Sequence, residues 1–165
     1  TGAVLASLEK EGAVKEGRVA FRRVAPYRTF AYKDYAITPL PAIHNTEEPF
    51  IYLVQQSGRA LLYAHDTDIF PEEVWDYLGS SGIVLNLVSL DCTQGVLPMD
   101  YIGHMNLEKN SAVRDRMLEM GIANGDTVFV ASHFSHNGGM RHQDAARLEA
   151  DRGMAIAYDG MEIEV

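Results

Sequence analysis

The sequence predicts an α/β domain in which a sheet is covered by helices, and three observations carry that prediction. Paired apolar runs separated by turn residues dominate the first half of the chain. Apolar runs alternate with amphipathic ones in the second half, and no repeat, low-complexity tract or linker interrupts the 165 residues. The length and the 47% hydrophobic content suit one ordinary globular domain over residues 1–165. A sheet with an apolar face must bury it against another layer, and amphipathic helices supply that layer here.

The elements follow in order. "TGAVLASLE" reads as a helix with Thr1 as N-cap and Val4, Leu5 and Leu8 on one face. "RVAFRRV" (18–24) and "FAYKDYAITPLPAIH" (30–44) read as strands, broken by Pro26 and stopped by Pro39 and Pro41. "FIYLVQQ" and "ALLYAH" flank Ser57-Gly58-Arg59 and predict a β-hairpin. "PEEVWDYLGSSG" predicts a short helix with Pro71 near its first turn and Gly79 or Gly82 as its stop. "IVLNLVSLD" is a continuous apolar run of the kind buried on both faces. "NLEKNSAVRDRMLEMG" predicts a helix with Asn106 at its start and Gly121 at its end. Strand "TVFVAS", helix "RHQDAARLEADRG" and a closing strand pair, "MAIAYD" and "MEIEV" around Gly160, complete the chain.

Composition narrows the partners. The formal charge is −9, from 14 Lys and Arg against 23 Asp and Glu. That balance argues against a long nucleic acid, whose binding leans on phosphate neutralisation, but leaves room for a small phosphorylated substrate. No apolar run approaches the roughly 20 residues of a membrane span, and the first residues lack the basic and apolar regions of a signal peptide. The single cysteine, Cys92, allows no intrachain disulfide and fits a cytoplasmic protein. Within "LVSLDC" it reads as a small buried hydrophobe.

Several apolar strands share one ending. "PLPAIH" ends at His44, "LLYAHD" at Asp66, "SLDC" holds Asp91, and "VFVASH" ends at His133. Imidazoles and carboxylates delivered from separate strand ends are what a compact metal site needs, and an aspartate can bridge two cations. Taken singly, each has an ordinary reading: His44 as a loop histidine, Asp66 as a turn-former in "HDTD", Asp91 as a strand-end cap.

Order and context add to this. "TPLPAIHN", "LLYAHDT", "LDCT", "GHMNLEKN", "SHFSHN" and "AYDGMEI" run along nearly the whole chain. The series resembles the metallo-β-lactamase-fold hydrolases, and within them the PhnP-like phosphoribosyl cyclic phosphodiesterase branch. The resemblance implies the C-terminal part of a four-layer αβ/βα sandwich with a dinuclear metal site at one edge. It implies that His44 ligates the first metal, Asp66 bridges both and His133 holds the second. It makes His104 the general acid for the leaving alkoxide, and His136 part of a separate structural zinc site. Asn106 stands where relatives often carry Asp. The cations implied are two divalent ions, zinc or manganese, besides the structural zinc. The function implied is hydrolysis of a small cyclic or nucleotide-like phosphodiester by metal-activated hydroxide, and a homodimer is compatible with it.

The His-x-His-x-Asp-His run of that superfamily does not occur in the sequence, nor do the cysteines that would join His136. The expectation is therefore an incomplete domain, the C-terminal portion of a larger hydrolase, and poor activity for the chain alone. A transfer-RNA 3′-processing-type nuclease shares the "HFS" element, although such enzymes continue with Arg-Tyr where His136-Asn137-Gly138 stands here. A non-catalytic sandwich domain is the alternative from another class. His65, His142 and Trp75 receive no functional role: His65 is expected on the opposite side of its strand from Asp66, His142 in solvent, and Trp75 in the core. Tyr101 and Met105, beside His104, are expected to line the pocket.

Overall fold

A computed structural model describes residue 20 and residues 22–98 and 101–165. The elements in order are β1 (Phe30–Tyr32), β2 (Tyr35–Pro41), β3 (Phe50–Gln56), β4 (Arg59–Ala64), α1 (Glu72–Ser80), β5 (Leu87–Asp91), α2 (Leu107–Glu119), β6 (Val128–Ser132), a 3-10 turn (His142–Asp144), α3 (Ala145–Arg152) and β7 (Ala155–Ile156). The opening helix and the start of the strand expected at 18–24 lie outside the described residues. Arg22–Val24 are irregular, and so are residues 161–165, where a closing strand was expected.

The strands form one mixed sheet in chain order, β1-β2-β3-β4-β5-β6-β7. Neighbours are antiparallel from β1 to β4 and parallel from β4 to β7. The switch falls where the sequence changes from hairpins to helical crossovers, since parallel neighbours need the longer connection. The β3–β4 hairpin turns on Ser57 and Gly58, both at positive φ (49° and 79°), so the loop is two residues and Arg59 already belongs to β4.

Pro39 and Pro41 do not stop β2 as expected. The backbone of Pro39 faces the β1 side, where its carbonyl accepts the Tyr27 N–H at 2.8 Å. β1 pairs only with Tyr35–Ile37, so the missing N–H groups of both prolines fall beyond its end and interrupt no ladder.

One face of the sheet carries Leu40, Ile51, Leu53, Leu62, Val88, Leu90 and Phe129, which form a single buried core with Val74, Trp75 and Leu78 of α1 and Val113 and Met117 of α2. Trp75 is fully buried, as expected; its Nε1 donates to the Phe70 carbonyl at 3.1 Å. Cys92 is also fully buried, and burial pushes its thiol up to about 12. On the opposite face, Tyr52, Val54, Leu61 and Leu87 are half-buried and Tyr63 is exposed. The described residues therefore supply one sheet and one helical layer.

Candidate metal centre

β2, β4, β5 and β6 all run in the same direction, because β3 is antiparallel to both β2 and β4 while β4, β5 and β6 are mutually parallel. Their carboxyl ends share one edge, where an α/β sheet opens its crevice. His44 follows β2, Asp66 follows β4, Asp91 ends β5 and His133 follows β6. The sequence-predicted ligands His44, Asp66 and His133 are thus brought together.

Asp66 is the hub. Its Oδ1 stands 3.6 Å from His44 Nε2 and 3.6 Å from His133 Nε2. That is too long for a hydrogen bond. It is close to the spacing of about 3.4 Å expected between donors that each lie about 2.1 Å from a shared tetrahedral cation. The Asp66 side chain is 61% exposed, so a cation can reach it from solvent. His44 Nδ1 is buried and has no hydrogen-bond partner among the described residues. The donor types and their spacing fit a divalent cation.

Backbone strain sits at the same place. Asp66 and His133 are both left-handed, with φ of 50° and 60°. Such a conformation costs a non-glycine residue roughly 1–2 kcal/mol, and strain of this kind collects where function needs an unusual side-chain direction. The surrounding structure holds it. Thr67 Oγ1 accepts the Ile43 N–H at 3.1 Å, and the Asp68 N–H donates to the Ile43 carbonyl at 2.9 Å. Asp68 in turn accepts Lys109 Nζ of α2 on both oxygens, at 2.8 and 2.9 Å. The loop carrying His44, the turn carrying Asp66 and the helix are fastened as one unit.

Asp91 is fully buried beneath them. Its Oδ1 accepts the backbone N–H of Thr93 (2.9 Å) and of Met105 (3.2 Å). Its Oδ2 faces His104 Nδ1 at 2.9 Å and His133 Nδ1 at 3.3 Å. Asp66, Asp91, His104 and His133 each offer a ligand-type atom within 4.8 Å of the others. Proximity alone would make Asp91 a ligand. Its Oδ1 already accepts two backbone N–H groups, however, and its Oδ2 lies behind both imidazoles, facing their Nδ1 atoms, so it stands beneath the rings as a supporting group.

No family model matches the sequence, and no curated protein matches it. Solved structures do. The metallo-β-lactamase fold protein YhfI from Bacillus subtilis is 16% identical, with 92% of this chain and 61% of that chain covered and a TM-score of 0.59. A diphosphatase from the PhnP family is 20% identical over 89% of this chain and 49% of that one, with a TM-score of 0.65. Zinc-bound PqqB from Methylobacterium extorquens is 17% identical over 100% of this chain and 63% of that one, with a TM-score of 0.63. The chain has the metallo-β-lactamase fold. It spans between about half and two thirds of the length of these neighbours.

Within that fold, His104 comes from the loop before α2, its ring edge-on to His44 at 4.9 Å and stacked with Tyr101 at 6.1 Å. Tyr101 is exposed beside it, whereas Met105 is fully buried and belongs to the core instead of a pocket wall. Among the described residues, the hydrogen bonds of the Asn106 side chain do not include His104. That side chain caps α2 by accepting the Lys109 N–H (2.9 Å) and donates to the Leu97 carbonyl (2.9 Å). His136 is exposed, and the side chain of His142 lies outside the described residues.

His65 is closer to the site than expected. Strand alternation does place it on the face of Tyr63 and Ser89, with its Nε2 at 2.8 Å from Ser89 Oγ. The left-handed turn at Asp66 then breaks the alternation and brings Asp66 round to the same end, so the His65 ring lies 5.4 Å from that of His133. Burial, reinforced by His133 and opposed by Asp91 and Asp66, pushes the His65 imidazole down to about 4.

Proposed function

We propose that these residues belong to a metal-dependent hydrolase acting on a small phosphodiester, with His44, Asp66 and His133 holding divalent cations. The single observation that carries this reading is the Asp66 carboxylate oxygen set 3.6 Å from the Nε2 atoms of two histidines on separate strand ends. Likeness in fold to a PhnP-family diphosphatase supports a phosphorylated substrate, and likeness to a zinc-bound protein supports a metal. Zinc and manganese both suit imidazole and carboxylate donors. When bound, such ions supply Lewis acidity at a phosphoryl oxygen and lower the pKa of coordinated water.

The chain's own residues carry the remaining tasks. Asp91 orients His133 and His104 from below. With its Nδ1–H held by Asp91, His104 acts in its imidazolium form, whose Nε2–H is given to the departing alkoxide and which is left as the neutral Nδ1–H imidazole. Tyr101, exposed and stacked on His104, forms the rim against which the organic part of the substrate rests. His136 is assigned to a second, structural zinc away from the catalytic edge. The remaining donors of a two-cation site are proposed to come from a His-x-His-x-Asp-His segment outside this sequence, which also makes the present chain a weak binder. The protein is proposed to be cytoplasmic; no helix among the described residues is long and apolar enough to cross a membrane.

The test is calorimetric titration of the chain with Mn²⁺ and Zn²⁺, paired with Asp66→Asn. Weak binding that disappears in the variant is expected. Binding unchanged by Asp66→Asn would remove Asp66 from the site.

A further inference from the structure

The Thr93 hydroxyl occupies an unusual position. Its oxygen lies 3.1 Å from His104 Nδ1, 2.9 Å from His133 Nδ1 and 3.0 Å from the His133 carbonyl oxygen. A hydroxyl has one proton and two lone pairs. The carbonyl can only accept, so the Thr93 proton goes there, and toward both rings the oxygen can only accept. Each ring nitrogen facing it must then carry hydrogen. Asp91 Oδ2, the other atom at the same two nitrogens, is also an acceptor. Two N–H donors thus meet two acceptors with no conflict.

We propose that Thr93 is a positioning residue that fixes the tautomer of His133, leaving Asp91 to fix that of His104. The division follows from distance. His133 Nδ1 is nearer to Thr93 Oγ1 (2.9 Å) than to Asp91 Oδ2 (3.3 Å), whereas His104 Nδ1 is nearer to Asp91 (2.9 Å) than to Thr93 (3.1 Å). With hydrogen on Nδ1, His133 keeps its Nε2 lone pair for the Asp66 side of the site, which is the form a cation ligand needs. The loop is built to hold the hydroxyl in place. The Thr93 N–H is bonded to Asp91 Oδ1, its carbonyl accepts the Ser135 N–H at 3.2 Å, and the carbonyl of Gly138 accepts the Val96 N–H at 3.0 Å. The loops carrying Thr93 and His133 are zipped to each other.

The consequence for cation binding rests on the function proposed above; the tautomer assignment does not. Long-range ¹H–¹⁵N correlation spectra of the full chain, taken without metal at pH ~8.5, where imidazole is neutral, read the tautomer of each ring directly. Nδ1–H is expected on both His104 and His133. Thr93→Val keeps the shape and removes the acceptor: His133 should shift to the Nε2–H form or a mixture, His104 should stay, and Thr93→Ser should restore His133. Zn²⁺ affinity in Thr93→Val should fall about 10- to 100-fold, the usual effect of removing a group that orients a ligand. Nε2–H on His133 in the unaltered chain overturns the proposal without any variant, and so does an unshifted His133 in folded Thr93→Val. If the unaltered chain binds no Zn²⁺ while the tautomers behave as described, the proposed cation site fails and the assignment of Thr93 stands.

Discussion

Asp66 Oδ1 and His133 Nε2 face each other at 3.6 Å across two residues that both hold a left-handed backbone, with φ of 50° and 60°. Neither place is taken by glycine, although Asp and His are among the residues that adopt this backbone more readily than most. The fold bears the strain at both, and the result is a carboxylate and an imidazole aimed at a common point.

This strain makes a prediction that separates stability from function. Asp66 is exposed and, among the described residues, its side chain makes no hydrogen bond, only the 3.6 Å contacts with His44 and His133, so it contributes little to folding. Glycine adopts a positive φ without steric cost. Asp66→Gly should therefore leave stability unchanged or raise it by up to about 1 kcal/mol, after the entropy of the unfolded glycine is counted. The same substitution should abolish cation binding. Urea unfolding and calorimetry check the two halves, and a loss of more than about 1 kcal/mol would show that Asp66 serves the fold.

Gly95 predicts the opposite balance. It lies at φ +54°, and a Cβ there would meet the Gly138 carbonyl oxygen at 2.2 Å and the Thr93-bearing loop would have to move. Gly95→Ala combines overpacking against backbone with left-handed strain and should cost about 2–4 kcal/mol. Gly125 is the control: a Cβ there meets nothing within 4 Å and its φ is not left-handed. Gly125→Ala should be neutral or slightly stabilising. Equal unfolding midpoints for the two variants would mean that the Gly95–Gly138 approach is not tight.

Much of this was legible in the sequence, and the residues show why. His44, Asp66 and His133 announce themselves because each follows an apolar strand, and strand order places those ends on one edge. Helix α2 was legible from Asn106 at its start and Gly121 at its end, since helix-end chemistry is local, and the structure shows Asn106 capping it. Asp91 was visible only as a strand-end residue, because its four nitrogen partners come from Thr93, His104, Met105 and His133 and no local pattern gathers them. Thr93 was visible only as the last residue of "LDCT", with no role attached, for the same reason. His65 was underrated because alternation along β4 was carried through Asp66, where a left-handed turn ends it. Pro39 and Pro41 misled because their cost depends on how far β1 extends, a tertiary fact. Residues 161–165 carry an alternating pattern but no strand partner among the described residues.

His65 gives the stability a pH dependence. In the unfolded chain its imidazole titrates near ~6.5, while burial in the fold holds it down to about 4. Between those values the unfolded state binds a proton that the folded state refuses, so stability is lost as pH falls through this window and is fully present above it. His65→Phe keeps a ring against Tyr63 and removes the titration. Without divalent cations, the unfolding free energy of the unaltered chain should fall more steeply than that of the variant between pH ~6.5 and ~4. Parallel curves would mean that the His65 ring is solvated.

His104 decides between two chemistries, because it lies both in the group of potential ligands and on the Asp91 carboxylate. As a general acid it matters in proportion to the basicity of the leaving group. In the complete hydrolase proposed above, His104→Ala should slow cleavage of a phosphodiester with an alkoxide leaving group by about 10²–10⁴-fold. An aryl ester, which leaves without a proton, should lose far less. Cation content should not change, because Asp66 and His133 keep their contact when the His104 ring is removed and Asp91 retains His133 as a partner. Steady-state rates on the two esters and metal analysis of the purified variant make the measurement. If the variant loses a cation and both esters slow equally, His104 is a ligand, and the proton for the leaving group must come from elsewhere.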